Sequence, residues 1–383
     1  MGVFPAKIRF KLRDLDVFPN TILSPMDGVT DAPFRRLCRV LSGDRMGLLV
    51  SEFVPTDGDA VFNLEGHKQL RFFPEERPFG VQIFGRFPDK MAAAAQKIAV
   101  SLKPDFIEVN AGCPAPKVAG KGSGSGLLRD LPRLQEILHD VRAALDRCGV
   151  DMPLTLKCRI GWDSDSINVM ETLAIAEGEG VEMLTVHGRT RLQGYNGLAD
   201  WDWIGKVAAA AKIPVIGNGD VNSVARAFEC INRYGVAGVS IGRGAMHNPW
   251  IFGQIADAWE DKPARVITAA EALDVFKLYY GFKIEDGSTD KGAEGRLKQL
   301  AARLCKGFCL DERGGEADGE SLDVALQVRQ SLLSSSCAAE LLDRAQSLKE
   351  GLAKDLVFDP DRLVNLNGAK ETELRFGDQF KGR

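Results

Sequence analysis

Residues 105–114 read DFIEVNAGCP: a short apolar run that stops abruptly in Asn110-Ala111-Gly112-Cys113-Pro114. A run of this length predicts a strand buried on both faces. The turn behind it carries a thiol, held between a glycine and a proline. Seven similar runs lie near 20–24, 47–53, 79–84, 154–159, 182–187, 213–218 and 236–241. Between them fall helical patterns at 31–42, 88–100, 130–148, 166–178, 201–211 and 222–234. Asp31 and Asn222 are the expected caps of two of these helices. The stretch 54–73 reads as a less regular crossover. Strands in strict alternation with helices predict a parallel sheet closed into a (β/α)8 TIM barrel. An open doubly wound sheet would place a GxGxxG turn after its first strand, and the turn here is SPMDGVTD, 24–31.

The chain has 383 residues, against roughly 250 for one such barrel, so a second, smaller domain is expected. The barrel is assigned to 1–260, with KPARVIT, 262–268, as a linker. The patterns from 269 to 348 are all helical, which predicts a small all-α bundle over 261–350. The acidic, Gly-rich DERGGEADGE, 311–320, reads as an exposed loop, and 351–383 as a loosely held tail.

Composition sets outer limits. The 45% hydrophobic content is that of a globular protein with a sizeable core. The net charge of -4 neither supports nor excludes an RNA partner, because a local basic patch suffices for one. The eight cysteines form no CxxC pair, and no metal site is expected. Cys305 and Cys309, at i and i+4 in a helical pattern, read as core packing rather than zinc ligands. The usage fits reduced thiols and a cytoplasmic protein. MGVFPAKIRFKLRD, 1–14, has no apolar core for a signal peptide, and no apolar run reaches the roughly 18 residues of a membrane span.

In this fold chemistry gathers at the C-terminal strand ends. All eight predicted ends carry polar groups. They are Ser24-Pro25-Met26-Asp27, Ser51-Glu52, Gln82, Asn110 with Cys113, Lys157 with Arg159, His187-Gly188-Arg189, Asn218-Gly219-Asp220 and Gly242-Arg243-Gly244. The last two suggest phosphate: Gly217, Gly219, Gly242 and Gly244 let backbone N–H groups approach an anion, and Arg243 adds charge. Gln82, Lys157 and His187 can hold the polar edge of a ring. A lysine inside TLKCR needs an anionic partner if buried, and a reduced flavin is one. Cys113 can act as nucleophile or as proton donor. The stretch APKVAGKGSGSG, 115–126, reads as a mobile lid or substrate loop.

At these positions the chain resembles the tRNA-dihydrouridine synthases. The matching words are SPMDGVTDAPFR (24–35), Glu52, VQIFG (81–85), NAGCP (110–114), LKCRIGWD (156–163), VHGRT (186–190), GNGD (217–220) and IGRGAM (241–246). Within the family it resembles most the DusC subfamily, through GWDS (161–164), HGRTRLQGY (187–195), GKGSGSGLL (120–128) and RLKQL (296–300). That subfamily is associated with uridine 16 of the tRNA D-loop.

The resemblance implies FMN across the barrel mouth, reduced by NADPH. Pro25, Met26 and Asp27 would cover the flavin, Asp27 through its backbone. Gln82, Lys157 and His187 would hold its ring, and Asn218, Gly219, Asp220, Gly242 and Arg243 its phosphate end. A uridine flipped out of the tRNA would stack on the flavin. Hydride would pass from flavin N5 to uracil C6 while Cys113 protonates C5. Asn110, with Arg159 and Tyr195, would hold the uracil edge. Arg296 and Lys298 of the helical domain would contact tRNA phosphates. The partners so implied are tRNA and NADPH, with no membrane and no DNA, for a monomer. Rival readings are an FMN barrel acting on a small pyrimidine-like molecule, an aldolase or isomerase with Lys157 as Schiff base, and a non-catalytic RNA-binding barrel.

Overall fold

The computed structural model describes residues 9–43, 45–58, 63–309, 319–351 and 357–359. The chain divides into two compact units, Met1–Gly242 with Trp250–Lys262, and Arg243–Pro249 with Pro263–Arg383.

The first unit is the expected barrel. Its strands are β1 (Thr21–Leu23), β2 (Leu48–Val50), β3 (Phe79–Phe84), β4 (Phe106–Ala111), β5 (Leu154–Arg159), β6 (Met183–His187), β7 (Val215–Asn218) and β8 (Gly238–Ile241). Each pairs in parallel with the next in sequence, and β8 returns to β1 through Val239↔Thr21, which closes the cylinder. The helices Ala32–Leu41, Pro88–Ser101, Leu131–Arg147, Val169–Gly178, Trp201–Ala210 and Val224–Tyr234 occupy the predicted intervals. Asp31 caps the first, its carboxylate accepting from the Phe34 N–H at 3.1 Å. The cap expected at Asn222 is instead Ser223, whose Oγ accepts from the Arg226 N–H at 3.1 Å. Either residue type caps well, so only the path of the chain into the helix decides between them.

A hairpin not foreseen in the sequence, Phe10–Leu12 with Leu15–Val17, packs at the N-terminal strand ends. Phe10, Leu12 and Val17 form one apolar cluster with Ile22, Leu48, Val50, Phe106, Met183 and Ile216. Its strands are three residues each, too short for alternation to be read. Side chains alternate along a strand, so positions two and four beyond Phe106 and Met183 share the interior face. Those positions are Glu108 and Asn110 on β4, and Thr185 and His187 on β6. The interior is thus apolar at one end and polar toward the C-terminal strand ends.

Gly80 shows how tightly the apolar layer is filled. A Cβ there would lie 2.2 Å from the Phe106 ring. Gly80→Ala is therefore expected to cost about 1–3 kcal/mol in urea unfolding through overpacking.

The second unit contains helices Ala269–Glu285, Asp290–Leu304, Gly319–Leu333 and Ala338–Glu350. Thr268 and Glu271 cap the first of these reciprocally: Thr268 Oγ1 accepts from the Glu271 N–H at 3.1 Å, and Glu271 Oε2 from the Thr268 N–H at 2.8 Å. Three two-residue strands join the expected helices: Val357–Phe358 pairs with both Ile267–Thr268 and Phe308–Cys309. The tail expected to be loosely held is therefore paired at this point, with Phe358 buried against Phe308 at 5.3 Å between ring centres. The remainder of 352–383, and the expected loop as far as residue 318, lie outside the described residues. The Cys305–Cys309 helical spacing does not hold, because the helix ends at Leu304 and Phe308–Cys309 is extended. Among the described residues no helix is long and apolar enough to cross a membrane.

Candidate active site

The Cys113 turn is braced from both sides. Asn110 Oδ1 accepts from the backbone N–H groups of Gly112 and Cys113, both at 2.9 Å. The Cys113 carbonyl accepts from Ser125 Oγ at 2.8 Å and from the Ser125 N–H at 3.2 Å. The stretch 115–126, expected as a mobile lid, folds instead into a helical turn, Pro116–Ala119, and the start of a 3-10 turn, Gly124–Arg129. Ser123 through Leu128 are buried. Gly124, at φ +56°, passes so close that a Cβ would meet Cys113 Cβ at 3.1 Å. The small residues from Ser123 to Gly126 thus pack closely behind the thiol, while Gly120, Lys121 and Gly122 are exposed. Burial pushes the Cys113 thiol above its ordinary 9.0, and Asp27 adds to the rise; the Ala115 amide, Arg159 and Lys117 oppose it. The group is therefore a thiol near neutrality, which suits a proton donor and not a thiolate nucleophile.

Beside it lies a polar network inside the barrel. Lys157 Nζ donates to Asn218 Oδ1 at 2.9 Å, and Asn218 Nδ2 donates to the Ser240 carbonyl at 2.7 Å. Gln82 Nε2 donates to Glu108 Oε1 at 2.6 Å, and Gln82 Oε1 accepts from Asn110 Nδ2 at 2.7 Å. Burial raises Glu108 and lowers Lys157, and each charge partly offsets the effect on the other. Glu108 thus lies near enough for its charge to favour the Lys157 cation. Glu108 was passed over in the sequence, although its period-two spacing from Asn110 puts it on the same inward face.

Arg159 links two turns. Its Nε donates to the Gly112 carbonyl at 2.8 Å, and its Nη1 to the carbonyls of Thr190 at 2.8 Å and Gly194 at 2.9 Å. Its guanidinium lies 5.7 Å from the centre of the Tyr195 ring, which is tilted over His187 at 6.4 Å. These bonds set Arg159 to holding the loop after β6 against the turn after β4. Asp220 is similarly engaged: both its oxygens accept from Arg189 Nη2, at 2.7 and 2.8 Å, and Oδ2 also accepts from the Ala199 N–H at 2.7 Å. A carboxylate so held organises the loop after β6 rather than meeting a phosphate itself. Gly219 is at φ +128°, and a Cβ there would lie 2.5 Å from Ala199 and 3.3 Å from the His187 ring. Only glycine fits that position.

The turn after β1 is tied to the end of β2. The Gly28 N–H donates to Glu52 Oε1, and Met26 N–H to Thr30 Oγ1 at 2.9 Å. Burial, reinforced by Asp31, pushes Glu52 up to about 7. Asp27 sits half-buried, 3.9 Å from Lys117 Nζ. Pro25 and Met26 follow β1, and the Met26 sulfur would lie 3.3 Å from a Cβ on Gly242. Arg243, Arg296 and Lys298 belong to the second unit. There Lys298 Nζ pairs with Glu294 at 2.7 Å, and Arg296 Nη1 donates to Gln299 Oε1 at 3.1 Å.

A closed (β/α)8 barrel with a buried lysine, a histidine and a free thiol gathered at its strand ends has the makings of an enzyme. The chain belongs to the dihydrouridine synthase family, whose model matches residues 22–317, and is an oxidoreductase of that class. It is 41% identical over 339 residues to the probable tRNA-dihydrouridine synthase 1 of Synechocystis sp., covering 88% of this chain and 89% of that one. It is 44% identical over 238 residues to tRNA-dihydrouridine synthase B of Pseudomonas aeruginosa, covering 62% and 69%. Neither name carries the C designation that the sequence words suggest. Among solved structures, histamine dehydrogenase from Rhizobium sp. 4-9 matches at a TM-score of 0.52 and 10% identity, over 71% of this chain and 50% of that one. At that identity the match shows the fold alone.

Proposed function

We propose that the chain reduces one uridine of the tRNA D-loop to 5,6-dihydrouridine, with FMN as bound carrier and NADPH as reductant. The observation that carries this reading is the Cys113 thiol on a turn braced by Asn110 and Ser125, in a barrel interior that also holds the buried Lys157. The donor set suits a flavin: Lys157 offers a cation to an electron-rich ring edge, with Gln82 and His187 as its interior neighbours. Gly219 leaves bare backbone beside His187, where any Cβ would collide. Asn218 and Gly242 are assigned to the phosphate end, with Pro25, Met26 and Asp27 over the ring. Bound flavin supplies hydride. Cys113 supplies the proton from its Sγ. Asn110 keeps one amide N–H for the uracil edge, and Arg159 and Tyr195 form the adjoining wall. Exclusion of water follows from the buried ring of polar residues, and the base must leave its stack to reach them. Arg296 and Lys298 are assigned to tRNA phosphates. The reading takes the protein as a cytoplasmic monomer.

The test is a visible spectrum of the purified protein, followed by NADPH-dependent reduction of tRNA lacking modifications. A protein that neither carries FMN nor takes it up would end the reading. Reduction of free uridine at the rate seen with tRNA would favour the small-pyrimidine alternative. Uridine 16 is the proposed target, on the resemblance of GWDS and HGRTRLQGY to the C type. Mapping the reduced position decides it, since any other position ends that assignment.

Lys157→Met is expected to weaken FMN binding to the apo-protein about 10- to 100-fold, the equivalent of one buried charge-assisted hydrogen bond. Burial draws Lys157 down to about 8, so its cation is present below that pH and lost above it. Wild-type affinity for FMN should therefore fall as pH rises through about 8, and that fall should be absent in Lys157→Met. Equilibrium titration followed by flavin fluorescence measures both.

A further inference from the structure

We propose that Glu108 is a positioning residue whose carboxylate sets the direction of a hydrogen-bond relay running through Gln82 and Asn110 to the Cys113 turn. Glu108 sits on the interior face of β4 and is 1% exposed. An ionised carboxylate only accepts hydrogen bonds. Gln82 must therefore present its NH2 group, and Nε2 donates at 2.6 Å. That places Gln82 Oε1 toward Asn110, where it accepts from Nδ2 at 2.7 Å. Asn110 is then left with Oδ1 toward the turn, accepting the N–H groups of Gly112 and Cys113 at 2.9 Å.

The two ends of this relay are of fixed sense and the two links between them are not. A side-chain amide has nearly the same shape when flipped, so its neighbours alone decide which way it faces. At one end stands an acceptor-only carboxylate, and at the other two donor-only backbone N–H groups. Both amides satisfy both ends in one arrangement only. Remove the carboxylate and Gln82 loses its reason to face that way; Asn110 then has no fixed partner and the turn loses the brace on its Asn110 side, keeping the one from Ser125. Burial raises the Glu108 carboxyl to about 7; the charged group facing it, Lys157 from β5, and the Gln82 hydrogen bond oppose that rise and favour the ionised form that the relay requires. Thr185 and Ser240, on the other interior strands, carry no charge. The relay bears on the proposed proton donor, but it is defined without flavin or RNA and is tested without either.

The experiment is alkylation of the full-length apo-protein by iodoacetamide, with Cys113 followed by peptide mass mapping. Cys158 and Cys230, both buried, serve as internal controls for global opening. Glu108→Leu is expected to raise the Cys113 rate about tenfold, the equivalent of one lost charge-assisted hydrogen bond, with both controls unchanged. Asn110→Ala should raise it by a similar factor. The double variant should stay within about twofold of either single one, because both break the same relay. Glu108→Asp keeps an acceptor and should remain within about threefold of wild type. A wild-type rate in Glu108→Leu, or single effects that multiply in the double variant, would overturn the proposal. Should Glu108→Leu expose the control cysteines, Glu108→Gln replaces it. Its amide lets the relay run in either sense, so a rise of about threefold or more is expected and a wild-type rate overturns the idea.

Discussion

Cys113→Ala will lower the rate of dihydrouridine formation by about 10²- to 10⁴-fold, the usual contribution of a positioned general acid. FMN binding should survive, because the groups assigned to the ring lie on β3, β5, β6 and the turn after β1 and not on the Cys113 turn. The turn itself should also survive, since its braces are backbone and amide bonds that the thiol does not make. The pH dependence separates acid from nucleophile. Burial raises the Cys113 thiol above 9.0, so the protonated form is present at neutral pH and is lost as pH rises through that elevated value. A rate that depends on the thiol should hold through neutrality and fall on the alkaline side. A thiolate nucleophile would give the opposite limb, with the rate rising as the proton leaves. Initial rates on unmodified tRNA, from neutral to strongly alkaline pH, decide between them. Full activity in Cys113→Ala would remove the thiol from the chemistry altogether.

The largest loss of stability is expected at Arg35→Met, about 3–5 kcal/mol by urea unfolding. Arg35 and Glu76 form an ion pair with both side chains 0% exposed, Arg35 Nε donating to Glu76 Oε2 at 2.5 Å. Arg35 also donates to the carbonyls of Thr30 and Arg71, each at 2.8 Å, and lies 4.7 Å from the centre of the Phe79 ring. Burial already raises Glu76, with Arg35 holding it back. Without the guanidinium the buried carboxyl would lose its only cation and keep the Phe73 N–H, which donates to Oε1 at 2.9 Å. The cost comes from that carboxyl, so Arg35→Met with Glu76→Leu should recover most of the loss. A single variant that loses less than about 1 kcal/mol would show that the pair adds little beyond packing. The site should feel the change, because Thr30 anchors Met26 in the turn after β1.

Neither effect could be argued from the sequence in this form. Arg35 and Glu76 are 41 positions apart, and nothing in SPMDGVTDAPFR announces a buried partner. Glu108 lies within the decisive stretch itself, yet it reads there as an interruption of an apolar run. The segment 115–126 has a composition that suits a flexible loop, and small residues are also what close packing against Cys113 requires. Composition cannot tell these two uses of glycine and serine apart. Arg159 and Asp220 were legible as polar groups at strand ends, but not as braces for the loop after β6.

By itself the sequence determined the closed barrel, the strand ends that bear chemistry and the family. It could do so because alternation, strand length and turn residues are local properties, repeated eight times along the chain. Only the tertiary structure showed that Asn110 and Ser125 brace the Cys113 turn, that Ser123 through Leu128 are buried behind it, and that Lys157 and Glu108 are buried near enough for each charge to act on the other. Proton affinity and hydrogen-bond direction depend on burial and on which distant groups face one another. Those relations exist only once β3, β4 and β5 stand side by side.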